Sequence, residues 1–495
     1  MTRTAQPKFS FLACIQRLLQ RRVLASAALL VAAFSATAMA QSFTTLVTFD
    51  VTNGANPIPA LVQDVDGNFY GVTEDGGTNS GGTFFKMTSE GELTTLYDFC
   101  SGSGCGIYPD AALTRGVDGN FYGTTFLGSA PCNGSIFRMT PQGTLTTLHS
   151  FCYQSTGELP QASLVQGRDG NFYGTTYNGG SAYSGTAFKI TPHGKLTTIH
   201  NFCTVGNCAD GSFPSGPGMV LGSDGNLYGT TSTTVFSMTP AGQLTTLYTF
   251  CSQAQCSDGR GPGPLVQAAD GTFYGTTTLG GLGYLCQAPL ACGTIFKITP
   301  SGEFTSIYSF CQKLSGIFCP DGYAPSSLIV GSDGNLYGTT HTGGVGQGIF
   351  SAAGTIFRIT PDGTFTTLYT FCPQTGCSDG AAPGNLVQSV DGRFFGATEA
   401  ETSGGDGTIF RAEYGLPPFV QALPTFGKPG TGVLILGDNL LGTTSVSFNG
   451  TPAAFKILSR HQIKARVPAG AATGTLSVVT AQGTLATNVV FSVVQ

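Results

Sequence analysis

Four aspartates in this chain share one local context. Asp210, Asp258, Asp321 and Asp379 each stand two residues after a cysteine and directly before a glycine. Carboxylates gathered at one mouth can hold a cation or sugar hydroxyls, and a close pair can cleave a glycosidic bond. Asp-Gly is also a turn dipeptide, and that is the simpler reading of each copy taken singly. These four, with Tyr284 and His341, are the candidate ligand contacts. A hydrolytic pair would need two acids within reach, such as Asp321 with Asp379 or Glu399 with Glu401. The five histidines, His149, His193, His200, His341 and His461, form no spaced ligand pair of the His-Glu-x-x-His kind. Gly376-Cys377-Ser378-Asp379-Gly380 fits Gly-x-Ser-x-Gly, but that motif needs a strand-to-helix elbow in a parallel sheet. No catalytic residue, metal or cofactor is assigned.

The cysteines carry a second pattern. Cys100 and Cys105, Cys203 and Cys208, Cys251 and Cys256, and Cys372 and Cys377 share one spacing, and each first member follows a strand-ending Phe. Zinc would need four thiolates from loops of different repeats, so small disulfide-closed loops are expected. Cys152 ends the same kind of strand without a partner five positions on, while Cys132 lies as far before the turn Pro141-Gln142-Gly143 as Cys152 lies beyond it. Facing positions across an antiparallel hairpin predict a Cys132–Cys152 bridge. Cys286, Cys292, Cys311 and Cys319 allow two solutions: local pairs 286–292 and 311–319, or a bridge from Cys292 to Cys311.

The elements that position these residues come from two repeated phrases. Asp-Gly-Asn-Phe-Tyr-Gly-Thr-Thr or a near copy starts at Asp66, Asp118, Asp169, Asp224, Asp270, Asp333 and Asp391, at intervals of 46 to 63 residues. The strand phrase Leu-Thr-Thr-Leu-Tyr-x-Phe also occurs seven times, but its first copy, Phe43 to Phe49, precedes every Asp-Gly copy. Each repeat reads as four short antiparallel strands, which is the pattern of a propeller blade. The expected fold is all-β: a seven-bladed β-propeller over 42–413, with the N-terminal strand completing the last blade and removing an open sheet edge. The turns joining strands one to two and three to four are short and uniform. The other two connections are long, variable and hold the mature cysteines, so they emerge on one face, where function is expected.

Composition bounds the partners. Charged residues are 10% of the chain, Gly numbers 72 and the net charge is −5, with no basic stripe for nucleic acid. Residues 1–40 carry Arg17, Arg21 and Arg22, an apolar run from Val23 to Phe34 and a closing Ala38-Met39-Ala40, which is a signal-peptide layout. Arg21-Arg22 leaves Sec and twin-arginine export both open. No later stretch is long and apolar enough to span a membrane. The fourteen cysteines beyond Cys14 suit an oxidising compartment, whether periplasmic, cell-surface or extracellular.

The repeats, on phrases such as Asp333-Gly334-Asn335-Leu336-Tyr337-Gly338-Thr339-Thr340, resemble the GloVer (choice-of-anchor) tandem-repeat family of exported bacterial proteins. That resemblance implies no catalytic residues. After the Pro417-Pro418 pair, residues 416–495 resemble an IPT/TIG domain, an immunoglobulin-like β-sandwich. The resemblance lies in Gly430 to Gly437, Val446-Ser447-Phe448-Asn449-Gly450 and Val467-Pro468-Ala469-Gly470. Such domains usually serve as spacers or adhesive modules. The expected function is an exported, non-catalytic protein presenting a disulfide-stapled loop face to a polysaccharide or cell-surface protein. The alternative is a propeller hydrolase or lyase acting on extracellular polysaccharide.

Overall fold

A computed structural model describes residues 41–494, apart from 59, 100–106, 129–131, 215–217, 283–291, 313–318, 345–352, 373–376 and 401–405. The expected signal peptide, Cys100, Cys105, Tyr284, Cys286 and Glu401 lie outside the described residues. The fold is all-β: between Ser42 and Glu413 the described strands form seven antiparallel sheets of four or five strands. One repeat runs Tyr323–Val330, Leu336–Thr342, Thr355–Ile359 and Phe365–Thr370 in sheet order. Its first strand starts earlier than the apolar run at Ser327 suggests. The register slips between Pro325 and Leu328, because proline has no N–H for the ladder and the strand bulges around it.

Five residues of the repeated phrase have clear mechanical tasks. In the turn at Asp333, one carboxylate oxygen accepts the Asn335 backbone N–H at 3.1 Å. The other accepts Asn335 Nδ2 at 2.6 Å and the Tyr337 hydroxyl at 2.9 Å. The same three bonds recur at Asp66, Asp118, Asp169 and Asp224. Asp391 departs from the pattern, gripping Arg393 through Nε at 2.7 Å. The phrase's second glycine is required by space. A Cβ on Gly275 would stand 2.5 Å from Phe296 Cζ, a ring of the neighbouring strand that is fully buried. The final threonine pairs its hydroxyl with one on the third strand, as Thr277 does with Thr294 at 2.9 Å. Each repeat has one such buried hydroxyl pair, which spares the core an unsatisfied polar atom.

The two ends of the repeat region meet in one sheet. Ser42–Thr48 pairs with Thr408–Glu413, outside Phe394–Ala400 and Ala381–Gln388, and Phe49 N–H donates to Gly407 O at 3.0 Å. The last repeat then contacts the first as any repeat contacts the next. Phe395 lies 4.2 Å from Phe69 between ring centroids, matching Tyr228 with Phe273 at 4.1 Å. Val390 N–H donates to Gln63 Oε1 at 3.1 Å, as Ser223 does to Gln267 at 2.8 Å and Ser332 to Gln388 at 2.9 Å.

The C-terminal region folds as two four-stranded sheets around Ile435, Phe448, Ile463, Leu476 and Phe491. It is seated on the repeat sheets at the uniform strand one-to-two turns. Phe419 and Leu436 pack on Val390, Asn488 Nδ2 donates to Val330 O at 2.9 Å, and Ser332 Oγ donates to Pro417 O at 2.8 Å.

Substituting Gly275→Ala drives a methyl into Phe296, and overpacking of this kind costs about 1–3 kcal/mol. Urea unfolding should show a lowered midpoint; an unchanged midpoint would mean the ring has room to move aside.

Candidate functional site

The long-loop face is built from disulfide-closed turns. Cys203–Cys208, Cys251–Cys256, Cys311–Cys319 and Cys372–Cys377 are bonded, as is the hairpin pair Cys132–Cys152. Bonding of Cys311 to Cys319 is the local alternative; Cys292 is also disulfide-bonded. The aspartate after each small loop turns its carboxylate back into that loop. Asp258 is fully buried, and its Oδ2 accepts the Tyr248 hydroxyl at 2.8 Å and the Ser252 N–H at 3.0 Å. Asp321 accepts Tyr308 and the Cys311 N–H, each at 2.9 Å. Asp379 accepts Tyr369 at 2.8 Å and the Cys372 N–H at 2.9 Å. Asp210 meets His200, which stands in the tyrosine's place, at 3.3 Å. The glycine that follows lies over the buried hydroxyl pair: a Cβ on Gly259, at φ +98°, would be 2.4 Å from Thr277 Oγ1. Asp321 and Asp379 therefore each accept hydrogen bonds from their own loop and strand.

A different set occupies equivalent positions in the seven repeats. The residue after each repeat's final threonine is Glu74, Phe126, Tyr177, Ser232, Thr278, His341 or Glu399. These seven stand at the long-loop end of the second strands. The threonine before each is buried or nearly so, whereas these side chains are half-buried or exposed. His341 Nε2 lies 3.3 Å from Glu399 Oε2, joining the sixth repeat to the seventh. Tyr177 packs on Phe213, with ring centroids 5.4 Å apart. Burial, reinforced by the charges of Asp110, Asp75 and Glu399, pushes the Glu74 carboxyl up to about 7. Burial and the Glu399 charge push Asp110 up to about 6, against a hydrogen bond with Gln161. The hydrogen bond to Glu399 raises His341 above its usual value, with burial opposing. Four acids (Glu74, Asp75, Asp110 and Glu399) and a histidine thus share one field at this end of the sheets. The sequence signal for Glu74 and its six counterparts was the one variable position directly after an otherwise constant phrase. Asp110 carried no such mark.

These shifts set a pH dependence. A carboxyl with a raised folded pKa keeps its proton in the folded state where the unfolded chain has lost it, so stability falls as pH rises through that interval. For Glu74 the interval runs from its ordinary 4.5 to about 7. His341, also raised, loses its contribution in the same direction above its ordinary 6.5. The unfolding temperature should therefore drop between pH 5 and pH 8, and Glu74→Gln should make that drop smaller. An equal drop in both proteins would mean Glu74 is solvated and ordinary.

No curated protein matches the sequence. Among solved structures, the extracellular domain of a protein assigned as a hybrid two-component system of B. thetaiotaomicron is 12% identical, with a TM-score of 0.48 over 92% of this chain. The extracellular domain of a protein assigned as a one-component system of B. thetaiotaomicron is also 12% identical, with a TM-score of 0.47 over 92% of this chain. This chain spans 57% and 58% of those two chains. A luciferin-regenerating enzyme is 11% identical, with a TM-score of 0.40 over 77% of this chain and 98% of its own. The IPT/TIG domain matches residues 418–493. The family described as the Gloeobacter/Verrucomicrobia repeat matches residues 30–233 and 218–451, and with most of its length so matched the chain belongs to that family.

Proposed function

We propose that the seven sheets are the blades of one closed β-propeller over 42–413, and that this is an exported, non-catalytic binding protein. In this reading residues 1–40 are a cleaved signal peptide and 416–495 form the attached IPT/TIG domain. One observation carries it: seven equivalent strand ends hold seven side chains of mixed chemistry, on a scaffold whose other repeated positions are committed to packing or hydrogen bonding. Varied side chains at equivalent positions of a rigid frame are how a binding face is built. Closure is supported by the pairing of the first strand with the last repeat and by the Phe69–Phe395 and Gln63–Val390 contacts. Export is supported by the bonded cysteines, which suit an oxidising compartment.

The C-terminal domain covers the uniform turns, so the long-loop face is the one offered to a ligand. The ligand fitting half-buried acids, hydroxyls and aromatic rings is an extracellular polysaccharide, held by hydrogen bonds and by stacking on Tyr177 and Phe126. The earlier candidates Asp210, Asp258, Asp321 and Asp379 act, in this reading, by holding the loops in place, while His341 contacts the ligand itself.

A hydrolase or lyase is the second reading, favoured by one observation. Glu74 at about 7 and Asp110 at about 6 would be partly protonated near neutrality, close to Glu399, as an acid–base pair requires.

Both readings meet one experiment. Mature protein from Gln41 onward is incubated with a panel of bacterial and plant polysaccharides, scoring retention and release of reducing ends together. Retention without release, weakened in a Tyr177→Ala and His341→Ala double variant, is the expected result. New chain ends, lost in Glu74→Gln, would make the protein an enzyme.

A further inference from the structure

The seating of the C-terminal domain leaves two adjoining cavities against the repeat sheets, of about 360 and 190 Å³. Both are lined by Val220 and Leu221 from the fourth repeat and by Thr425 and Phe426 from the C-terminal domain. Together they form one cleft, far from the loop face and independent of the function proposed for it. The walls are chiefly aliphatic, with Val165 on one side and Val266, Val489 and Val490 on the other. Binding sites favour domain junctions of this kind, where an apolar body is enclosed and a few polar groups fix its orientation.

At one end of the smaller cavity stands Arg168. Its Nη2 donates to Ser223 O at 2.6 Å, and its Nε is buried without a hydrogen-bond partner. The acid whose charge reaches it is Asp224, but that carboxylate is committed to Asn226 and Tyr228. Other arginines of these turns are matched: Arg115 pairs with Asp64, and Arg393 with Asp391. A guanidinium without its own carboxylate, at the end of an aliphatic cleft, is complementary to one anionic group on an apolar chain. A carboxylate meets it best, because a planar guanidinium presents fixed N–H donors.

We propose that this cleft binds an amphipathic monocarboxylate, a fatty acid of medium length, with its carboxylate on Arg168 and its chain under Phe426. The chain excludes water from the Val220–Leu221 wall, and the carboxylate balances the Arg168 charge. The C-terminal domain is then part of a binding site as well as a cover for the turns.

The test is calorimetric titration of the full mature protein with decanoate, and with decan-1-ol as the uncharged match. Decanoate should bind one to one. Decan-1-ol to wild type, and decanoate to Arg168→Gln, should each be weaker by about tenfold or more, the usual loss for a charge-assisted pair. Arg168→Lys should recover part of that loss. Val220→Phe, which fills the cleft and keeps the cation, should abolish binding while circular dichroism stays unchanged. No binding of decanoate to wild type would overturn the proposal. So would equal affinity in Arg168→Gln, or binding retained in Val220→Phe. Polysaccharide retention by the loop face should be the same in all these variants, so the two sites are judged separately.

Discussion

One strand pairing governs the architecture: Ser42–Thr48 against Thr408–Glu413. Without it, the seventh sheet would present three strands and an open row of backbone donors and acceptors, which invites pairing with other chains. With it, the last repeat carries a complete sheet to the first, and the contacts at that junction become the ones found elsewhere. Phe69 meets Phe395, Gln63 caps the turn at Val390, and Gly407 lies against Pro57 as Gly293 lies against Pro325. The pairing also brings the seventh repeat, with Glu399, to the first, with Glu74.

The repeats made the sheets readable because each conserved letter answers a local demand. Asp, Asn and Tyr of the phrase close a single hydrogen-bonded turn, Gly leaves room for a phenylalanine ring, and Thr satisfies another hydroxyl in the core. Demands of that kind repeat with the phrase and need no tertiary knowledge. The Cys132–Cys152 bridge was equally readable, because both residues sit at matched distances from one hairpin turn. The pairing of Cys311 with Cys319 was not, since loop length alone fitted two solutions.

The candidate site was less legible, for a physical reason. Asp210, Asp258, Asp321 and Asp379 drew attention through their recurrence, yet recurrence marks a shared mechanical role: each accepts hydrogen bonds from its own loop and strand. The converging acids Glu74, Asp110 and Glu399 come from different repeats and from positions that are not alike in type. Their proximity follows from the meeting of the seventh repeat with the first. The seat of the C-terminal domain was invisible for a similar reason, because it depends on surface fit at Val390, Val330 and Ser332 and not on any motif. Together these placements set uniform turns under the C-terminal domain at one end of the sheets and variable loops at the other.

The account rests on the N-terminal strand being an integral part of the last sheet, and native-state hydrogen exchange reads this directly. Amides in Ser42–Thr48 that face Thr408–Glu413, and the Phe49 N–H bonded to Gly407, should exchange as slowly as those of the central strand Phe273–Leu279, opening only with the whole repeat region. Fast exchange of the N-terminal strand, with slow exchange retained in Phe273–Leu279, would show a frayed end and an open array, contradicting the account.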